Sequence, residues 1–283
     1  MSLEAVARKD FQDAVRSRWL LGLTAFFVLL VSVVVYLVRP GAGQTLSTSA
    51  LLGSVFIRDA LVTTLIPLIA LVVSYNAVVG ERESGSLKLL LALPHSRGDV
   101  VFGKVVGRAG AIAVPVSVGF LLPGLVAAIG PLSLRPGTFV GYILLTLLLS
   151  AAFVAIAVGF SSAVASNRLA IGGAVGLYFL FVPLWGAIQF PLRLYLGTGG
   201  GPSWLPIAGS ELLRLLRLVN PTGSFKIVSG EFVSGTLFAA GQAGSEAAGQ
   251  YATQMEIAAF AMLVAWLLVP PLLGLWRFEG ADL

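Results

Sequence analysis

The chain has 283 residues, of which 57% are hydrophobic and only 11% are charged, and its mean hydropathy is +0.95. A soluble domain carries roughly 25% charged residues because its surface faces water, so this composition excludes an ordinary soluble fold. Lys and Arg outnumber Asp and Glu by 18 to 13, but no part of the chain is polar enough to form a basic nucleic-acid-binding face. Cysteine is absent, which excludes disulfides, thiolate metal sites and a cysteine nucleophile.

The N-terminal segment, residues 1–19, has the pattern of an amphipathic helix. Its apolar residues recur at i, i+4 spacing, and they are Leu3, Ala7, Phe11, Val15 and Trp19. Basic and polar residues occupy the other side. Such a helix lies in the membrane interface, with its cations toward anionic head groups. The alternative is a positively charged anchor that only sets the orientation of the first span.

Six apolar stretches are long enough to cross a hydrocarbon core, which takes about 20 residues. They cover residues 20–38, 60–79, 109–129, 139–160, 169–188 and 257–276, and none contains Asp, Glu, Lys, Arg or His. Each must be helical, because a helix pairs all of its own backbone groups and an unpaired group in lipid is costly. The sequence therefore predicts an all-α membrane protein that forms one transmembrane domain over residues 1–283.

The distribution of Lys and Arg predicts the orientation. With the N-terminus inside, eleven basic residues lie in inner segments and three, Arg39, Arg58 and Arg135, lie in short outer segments. The other four fall in the long connection 189–256, which is left out of the count because long loops cross the membrane regardless of charge. Both termini are therefore expected in the cytoplasm. The first apolar stretch is too long for a cleaved signal peptide.

Between the second and third spans lies a segment that runs from Glu81 to Pro94. Gly85 permits a sharp turn, Ser86 can cap a short helix over 87–93, and Pro94 ends that helix. The helix is almost wholly apolar but too short to span a membrane. Its leucines must therefore be buried against other apolar groups. From the residues alone, burial in the chain's own loops and docking against a partner are equally open.

Residues 98–104 match the pattern G-x-x-x-x-G-K of a phosphate-binding loop. A genuine loop of this type follows a strand and continues with Ser or Thr, whereas Val105 follows here. We therefore expect no nucleotide site, and we expect Lys104 to snorkel toward the membrane interface. His95, the single histidine, is expected to be a solvated turn residue. No catalytic, cofactor or metal site is predicted.

The long outer connection, 189–256, divides into three parts. Residues 197–206 are rich in glycine and proline and are expected to be irregular. Residues 210–219 form an amphipathic helix that ends at Asn220-Pro221, and 235–254 are small and polar and expected to be mobile. Within the fifth span, Gly172 and Gly176 form a small-xxx-small face suited to close helix approach.

The sequence at 81–104 resembles the type 2 ABC exporter permeases, particularly the branch with nitrous-oxide-reductase maturation and sodium-efflux-type permeases. The family pattern is an acidic-Arg-Glu-x-Gly-Ser/Thr-Leu run, then leucines, Pro, a basic residue and Gly-Lys. The matching residues are Glu81, Arg82, Glu83, Gly85, Ser86, Leu87, Pro94, Arg97, Gly103 and Lys104. Residues 7–11 and Asn220-Pro221-Thr222 with Phe225 are also similar to that group.

The resemblance implies the membrane subunit of an ATP-driven transporter in a prokaryotic plasma membrane, without catalytic activity or a cofactor of its own. The helix after Gly85 would be a coupling helix that rests in a cleft of a separate ATPase subunit. The residues expected at that contact are Glu81, Glu83, Gly85, Ser86, Leu87, Leu89, Leu90, Pro94 and Arg97. Glu81 and Glu83 are expected to hold the loop by bonding nearby Arg or backbone groups. Two such chains, as a homodimer, would form the path.

Two other functions remain as alternatives at this stage. A secondary transporter normally needs ionisable groups near the membrane midplane, and the six apolar stretches contain none. An intramembrane enzyme needs clustered carboxylates, histidines or a serine with a base at one depth, and no such pattern occurs in the sequence. Both alternatives are therefore weaker than a permease that works with an ATPase.

Overall fold

The computed structural model describes residues 2–37, 45–53, 61–92, 96–128, 132–133, 135–197, 209–234 and 246–280. Nearly all of these residues are helical, which confirms the all-α fold. Within the described ranges, β structure is limited to a two-residue parallel pair, β1 (Leu46–Ser47) and β2 (Leu132–Ser133). This pair joins the connections that follow the first and third spans.

The helices follow one another in a simple order. They are α1 (Ser2–Val15), α2 (Arg18–Leu37), α3 (Thr48–Leu51), α4 (Leu61–Ser74), α5 (Val79–Glu83), α6 (Ser86–Ala92), α7 (Arg97–Ala128), α8 (Pro136–Ala163), α9 (Asn167–Phe179), α10 (Trp185–Gly197), α11 (Gly209–Val219), α12 (Pro221–Ser234) and α13 (Glu246–Glu279). A π-helical segment, Leu180–Leu184, joins α9 to α10. It contains Pro183, which lacks a backbone N–H and so disturbs the regular helix at this point.

Six helical stretches of the described chain are long and apolar enough to cross a membrane, in agreement with the six predicted spans. They are Leu20–Leu37, Leu61–Glu83, Arg97–Leu125, Pro136–Ala163, Asn167–Leu196 and Gln254–Glu279. Several extend beyond the predicted limits and take in ionisable residues, among them Lys104, Arg108, Arg193 and Glu256. The helices therefore continue beyond the predicted apolar stretches at their ends.

The core is centred on α8, which has buried residues along its whole length. Four aromatic side chains form edge-to-face contacts across it, from Phe27 to Phe120 (5.6 Å between ring centroids), on to Tyr142 (5.9 Å) and then to Phe225 (5.9 Å). Such contacts add about 0.5–1.5 kcal/mol each to the burial of the rings. They join α2, α7, α8 and α12 into one packed unit.

Asn220 lies between α11 and α12 and is fully buried. Its Oδ1 accepts hydrogen bonds from the backbone N–H of Thr222 at 2.8 Å and from the Thr222 hydroxyl at 2.7 Å, and its Nδ2 donates to the carbonyl oxygen of Phe181 at 2.8 Å. Asn220 thus caps α12, with Pro221 as the first helical residue. In the sequence, Asn220-Pro221 predicts only the end of a helix, so α12 is not predicted.

The structure describes the outer connection, residues 189–256, only in part. Residues 246–254, the last part of the stretch predicted to be mobile, form the first turns of α13. Residues 198–208, which include most of the stretch expected to be irregular, and 235–245 lie outside the described ranges. The predicted helix 210–219 is confirmed as α11.

Candidate functional site

The segment 81–94 forms two short helices joined by a tight turn. Gly85, between α5 and α6, has a φ of +76°, a conformation that side chains disfavour. It is therefore the turn residue that the sequence predicted. Ser86 is the first residue of α6, and its hydroxyl donates to the carbonyl oxygen of Glu81 at 3.4 Å. Pro94 and His95 lie outside the described residues.

The leucines of α6 have different surroundings. Leu87 is 1% exposed and packs in the main hydrophobic core, and Leu90 is partly buried against the same core. Leu89 is 75% exposed, and its neighbours Lys88 and Ala92 are exposed as well. One side of α6 is therefore attached to the chain, while the side with Leu89 is left uncovered.

Five charged side chains join α5 to α1 and α7. This charge cluster consists of Lys9, Asp10, Glu81, Lys104 and Arg108. Glu81 Oε1 lies 2.9 Å from Lys104 Nζ and 3.4 Å from Lys9 Nζ, and Lys104 Nζ also lies 3.3 Å from Asp10 Oδ1. The Lys104 side chain is 3% exposed, so these attractions are weakly screened by water. The expectation that Lys104 snorkels to the interface is wrong, because two carboxylates hold it inside the protein.

Arg108 extends the charge cluster to α4. Its Nε donates to Asp10 Oδ2 at 2.8 Å, and its Nη1 donates to the carbonyl oxygen of Val73 at 2.6 Å. Val73 lies in the last turn of α4, where carbonyl groups have no partner within their own helix. Arg108 therefore binds the end of α4 to both α1 and α7.

Glycines on α7 let α1 lie directly against it. A Cβ atom on Gly107 would lie 2.7 Å from the carbonyl oxygen of Ala7, and one on Gly103 would lie 2.8 Å from Val6 Cβ. Val6 and Ala7 are buried in this contact, whereas Leu3 is exposed. The predicted apolar stripe of α1 thus coincides only in part with the packed side, because packing and ion pairing with α7 decide which side is buried.

The other end of α5 contacts the start of the fifth span. Glu83 Oε1 accepts a hydrogen bond from the backbone N–H of Asn167 at 2.7 Å. The Ser161 hydroxyl accepts bonds from the backbone N–H groups of Val78 at 3.2 Å and Val79 at 3.1 Å. Glu83 therefore bonds a backbone group, which is one of the two kinds of partner predicted, whereas Glu81 bonds two lysines rather than an arginine or a backbone group.

Arg82 and Arg97 hold the end of α13 beside this segment. Arg97 donates to the carbonyl oxygens of Phe278 and Glu279, the latter at 2.9 Å. The two guanidinium groups lie 5.5 Å and 5.1 Å from the centre of the Phe278 ring, a cation–π geometry. Arg97, the first residue of α7, thus contacts its own chain, and Arg82 brings the α5–α6 segment against the same end of the last helix.

Comparison with known proteins agrees with this architecture. A family model described as ABC-2 family transporter protein matches residues 4–283. The chain belongs to this family. It is 34% identical over 232 residues to the probable ABC transporter permease protein NosY of Pseudomonas aeruginosa, covering 79% of this chain and 80% of that protein. The protein of the same description from Stutzerimonas stutzeri is 33% identical over 228 residues, with 79% of each chain covered. The chain is thus a membrane subunit of the ABC transporter type.

Several residues of the site in this ABC-2 permease are not predicted from the sequence. Asp10, Arg108, Asn167 and Phe278 lie far apart in the sequence, and only the fold brings them to the α5–α6 segment. One signal was available, since Lys104 and Arg108 are four residues apart and so share a helix face. Among the described residues, no group of three or more His, Asp or Glu side chains is placed to hold a metal ion.

Proposed function

We propose that this ABC-2 permease couples ATP hydrolysis by a separate cytoplasmic ATPase subunit to export of a substrate, or to a maturation process, across the membrane. The observation that supports the proposal is Leu89, a leucine 75% exposed on a short helix between charged residues. Full burial of a leucine is worth about 1.5–3 kcal/mol. An apolar cleft on an ATPase would supply that burial.

The attachments of α6 give the docked ATPase a route into the membrane helices. Leu87 fixes α6 to the core. The adjoining α5 is connected to α1 and α7 by Glu81 and to the fifth span by Glu83. A displacement of α6 would therefore act on several spans at once. In this account Glu81 and Glu83 transmit the motion, whereas Leu89 makes the contact.

The proposal includes the orientation and a second copy. Eleven basic residues against three favour cytoplasmic termini, and the charge cluster puts α1 on the same side of the membrane as α5 and α6. Gly172 and Gly176 on α9 are exposed, and a Cβ atom on either would meet no described atom within 4 Å. Small residues on an open helix face allow close approach of another helix, so we place the homodimer contact there.

Replacement of Leu89 by Asp tests the docking. The variant should insert normally, because Leu89 contributes little to the chain's own core, and it should lose its co-expressed ATPase subunit on affinity purification. Loss of an interface anchor costs more than about 2 kcal/mol, which corresponds to a fall in affinity of roughly 30-fold. The measurement is the ATPase-to-permease ratio after purification from membranes.

Two matched variants make the result specific. Gln12→Asp adds the same charge at an exposed position of α1 and should keep the ATPase. Leu87→Asp places a carboxylate in the core and should reduce the amount of folded permease itself. Retention of the ATPase by Leu89→Asp at the wild-type ratio would show that the uncovered side of α6 is not the docking surface.

A further inference from the structure

The helices α11 and α12 form a hairpin that enters the bundle and turns back. α11 begins beside the end of the fifth span, since a Cβ atom on Gly209 would lie 2.9 Å from Leu196 Cβ. α12 returns to the first turns of α8, where Gly141 leaves room for the Phe232 ring. The opposite ends of the fifth span and of α8 contact α5. The hairpin therefore enters from the end of the bundle that lies away from α5 and α6.

Two hydrogen bonds fix the depth at which the hairpin turns. Asn220 Nδ2 donates to the carbonyl oxygen of Phe181 at 2.8 Å, and Phe181 lies in the middle of the fifth span, Asn167–Leu196. Trp266 lies in the middle of the sixth span, Gln254–Glu279, and its Nε1 donates to the carbonyl oxygen of residue 219 at 2.8 Å. The turn between α11 and α12 therefore lies near the middle of the membrane.

Arg217 is three residues before Asn220, at nearly the same depth. The carbonyl oxygen of the preceding residue, Leu216, accepts a hydrogen bond from the Trp185 indole of the fifth span at 3.0 Å. A Cβ atom on Gly223 would lie 3.2 Å from Arg217 Cγ, so the start of α12 packs against the stem of this side chain. Arg217 is nevertheless exposed, and so is Arg214, one turn earlier on α11. The hairpin thus presents two arginines on an open surface inside the membrane.

Lipid is a poor environment for these two arginines. A charged side chain in hydrocarbon is costly, and arginines within spans face a partner charge or a water-filled cavity. The ion pairs between described residues include neither Arg214 nor Arg217. Acidic residues on α11, α12 and α13 lie toward the other end of the hairpin, and they are Glu211, Glu231, Glu246 and Glu256. Half of the hydrocarbon thickness is about 15 Å, which is farther than the Arg217 side chain extends. Water is therefore the environment that suits this surface.

We propose that the exposed side of α11 lines a water-filled path through the membrane, and that Arg214 and Arg217 make this path selective for an anionic substrate. The inference rests on the proposed export function, in which a second copy closes the path. Positive charges in such a cleft raise the local concentration of anions and lower that of cations. Guanidinium groups also bind oxyanions through paired hydrogen bonds, so the substrate carries an oxyanion group.

Thiol labelling in membranes tests whether water reaches this depth. The chain has no cysteine, so each single-cysteine variant has one thiol. Without nucleotide, Arg217→Cys should react with membrane-impermeant methanethiosulfonate reagents that carry either a sulfonate or a trimethylammonium group. Leu144→Cys is the control, at an exposed position of α8, a helix without charged residues. It should react with neither reagent, because lipid excludes both.

The charge preference is measured at Arg214→Cys, as the ratio of the sulfonate rate to the trimethylammonium rate, each divided by its rate with a free thiol. Arg217 is three residues away on the same helix face, with about 5–6 Å between Cβ atoms. At about 6 Å in water, a unit charge changes the local concentration of a monovalent ion roughly threefold, in opposite directions for the two reagents. Addition of Arg217→Gln should therefore lower the ratio about tenfold. Arg168→Gln, an exposed arginine at the other end of the fifth span, should leave the ratio unchanged.

These outcomes decide the proposal separately from ATPase docking. Failure of both reagents at Arg217→Cys, or an equal ratio with and without Arg217, would overturn the anionic path. Arg214→Cys keeps Arg217 in place and serves for both readings if Arg217→Cys is poorly folded. The labelling needs no nucleotide, so a permease whose Leu89 does not dock an ATPase would still show the preference for the anionic reagent.

Discussion

Lys9 and Lys104 approach the same carboxylate oxygen of Glu81 from different environments. The Lys9 side chain is 53% exposed and its Nζ lies 3.4 Å away, whereas the Lys104 side chain is 3% exposed and its Nζ lies 2.9 Å away. Exposed ion pairs contribute about 0–1 kcal/mol because water and salt screen them. Removal of one partner from a buried pair leaves an uncompensated charge and costs about 3–5 kcal/mol.

Lys104→Met should lower the free energy of unfolding by about 1.5–3 kcal/mol, the worth of hydrogen bonds to charged groups, because Asp10 keeps Arg108 and Glu81 keeps only the exposed Lys9. Lys9→Met, the matched control, should cost less than about 1 kcal/mol. The measurement is denaturation of each purified permease in the same detergent. Equal losses for the two variants would contradict the assignment of Lys104 as the centre of the charge cluster.

The exposure of individual leucines was beyond prediction from the sequence. Leu87, Leu89 and Leu90 have the same chemistry and lie on a helix of seven residues, which is too short for periodicity to define a buried side. The fold determines which leucines are buried, because Leu87 packs in the core and Leu89 does not. The sequence did predict the turn at Gly85, since glycine alone adopts its positive φ at low cost.

At the level of elements, Asn220 connects the fifth span to α12. Asn220→Ala should lower the free energy of unfolding by about 2–4 kcal/mol, because it removes the helix cap, worth about 1 kcal/mol, and leaves the Phe181 carbonyl unsatisfied at about 1–3 kcal/mol. Asn220→Ser keeps a cap oxygen but not the amide donor, so its loss should be smaller. Denaturation in detergent measures both values, and a loss for Ser as large as that for Ala would refute the capping role.

The existence of all six spans followed from the sequence because apolar length alone determines it. Their limits did not, because ionisable residues at the helix ends were assigned to loops. Lys104 and Arg108 can continue α7 only because Asp10 and Glu81 neutralise them, and those partners come from distant parts of the chain. α12 was missed for a local reason, since Asn-Pro can end one helix and begin the next.

At the level of the whole molecule, the open face of α9 should mediate pairing of two copies. The chain has no cysteine, so each single-cysteine variant has one reactive thiol. Gly176→Cys should form disulfide-linked dimers in membranes under mild oxidation, because disulfides need Cα atoms within about 7 Å. Leu144→Cys, exposed on α8, is the control for random collision. Dimers from Leu144→Cys but not from Gly176→Cys would place the contact elsewhere.

Several contacts link the α5–α6 segment to the helical bundle. The α5–α6 segment contacts α1 and α7 through Glu81, the fifth span through Glu83 and the end of α13 through Arg82. Such bonds make the segment stiff relative to the spans, which is what transmission of a force requires. The proposed coupling therefore depends on a single external contact, the one made by Leu89.

Site-specific photocrosslinking at position 89 tests that contact most directly. A photoreactive phenylalanine analogue in place of Leu89 should crosslink to the ATPase subunit in membranes, and the same analogue in place of Leu87 should crosslink within the permease. Because the ATPase is cytoplasmic, the crosslink would also establish the side of the membrane on which α6 lies. If position 89 crosslinks only to lipid or to the permease while the ATPase still co-purifies, α6 does not dock the ATPase and the coupling account is wrong.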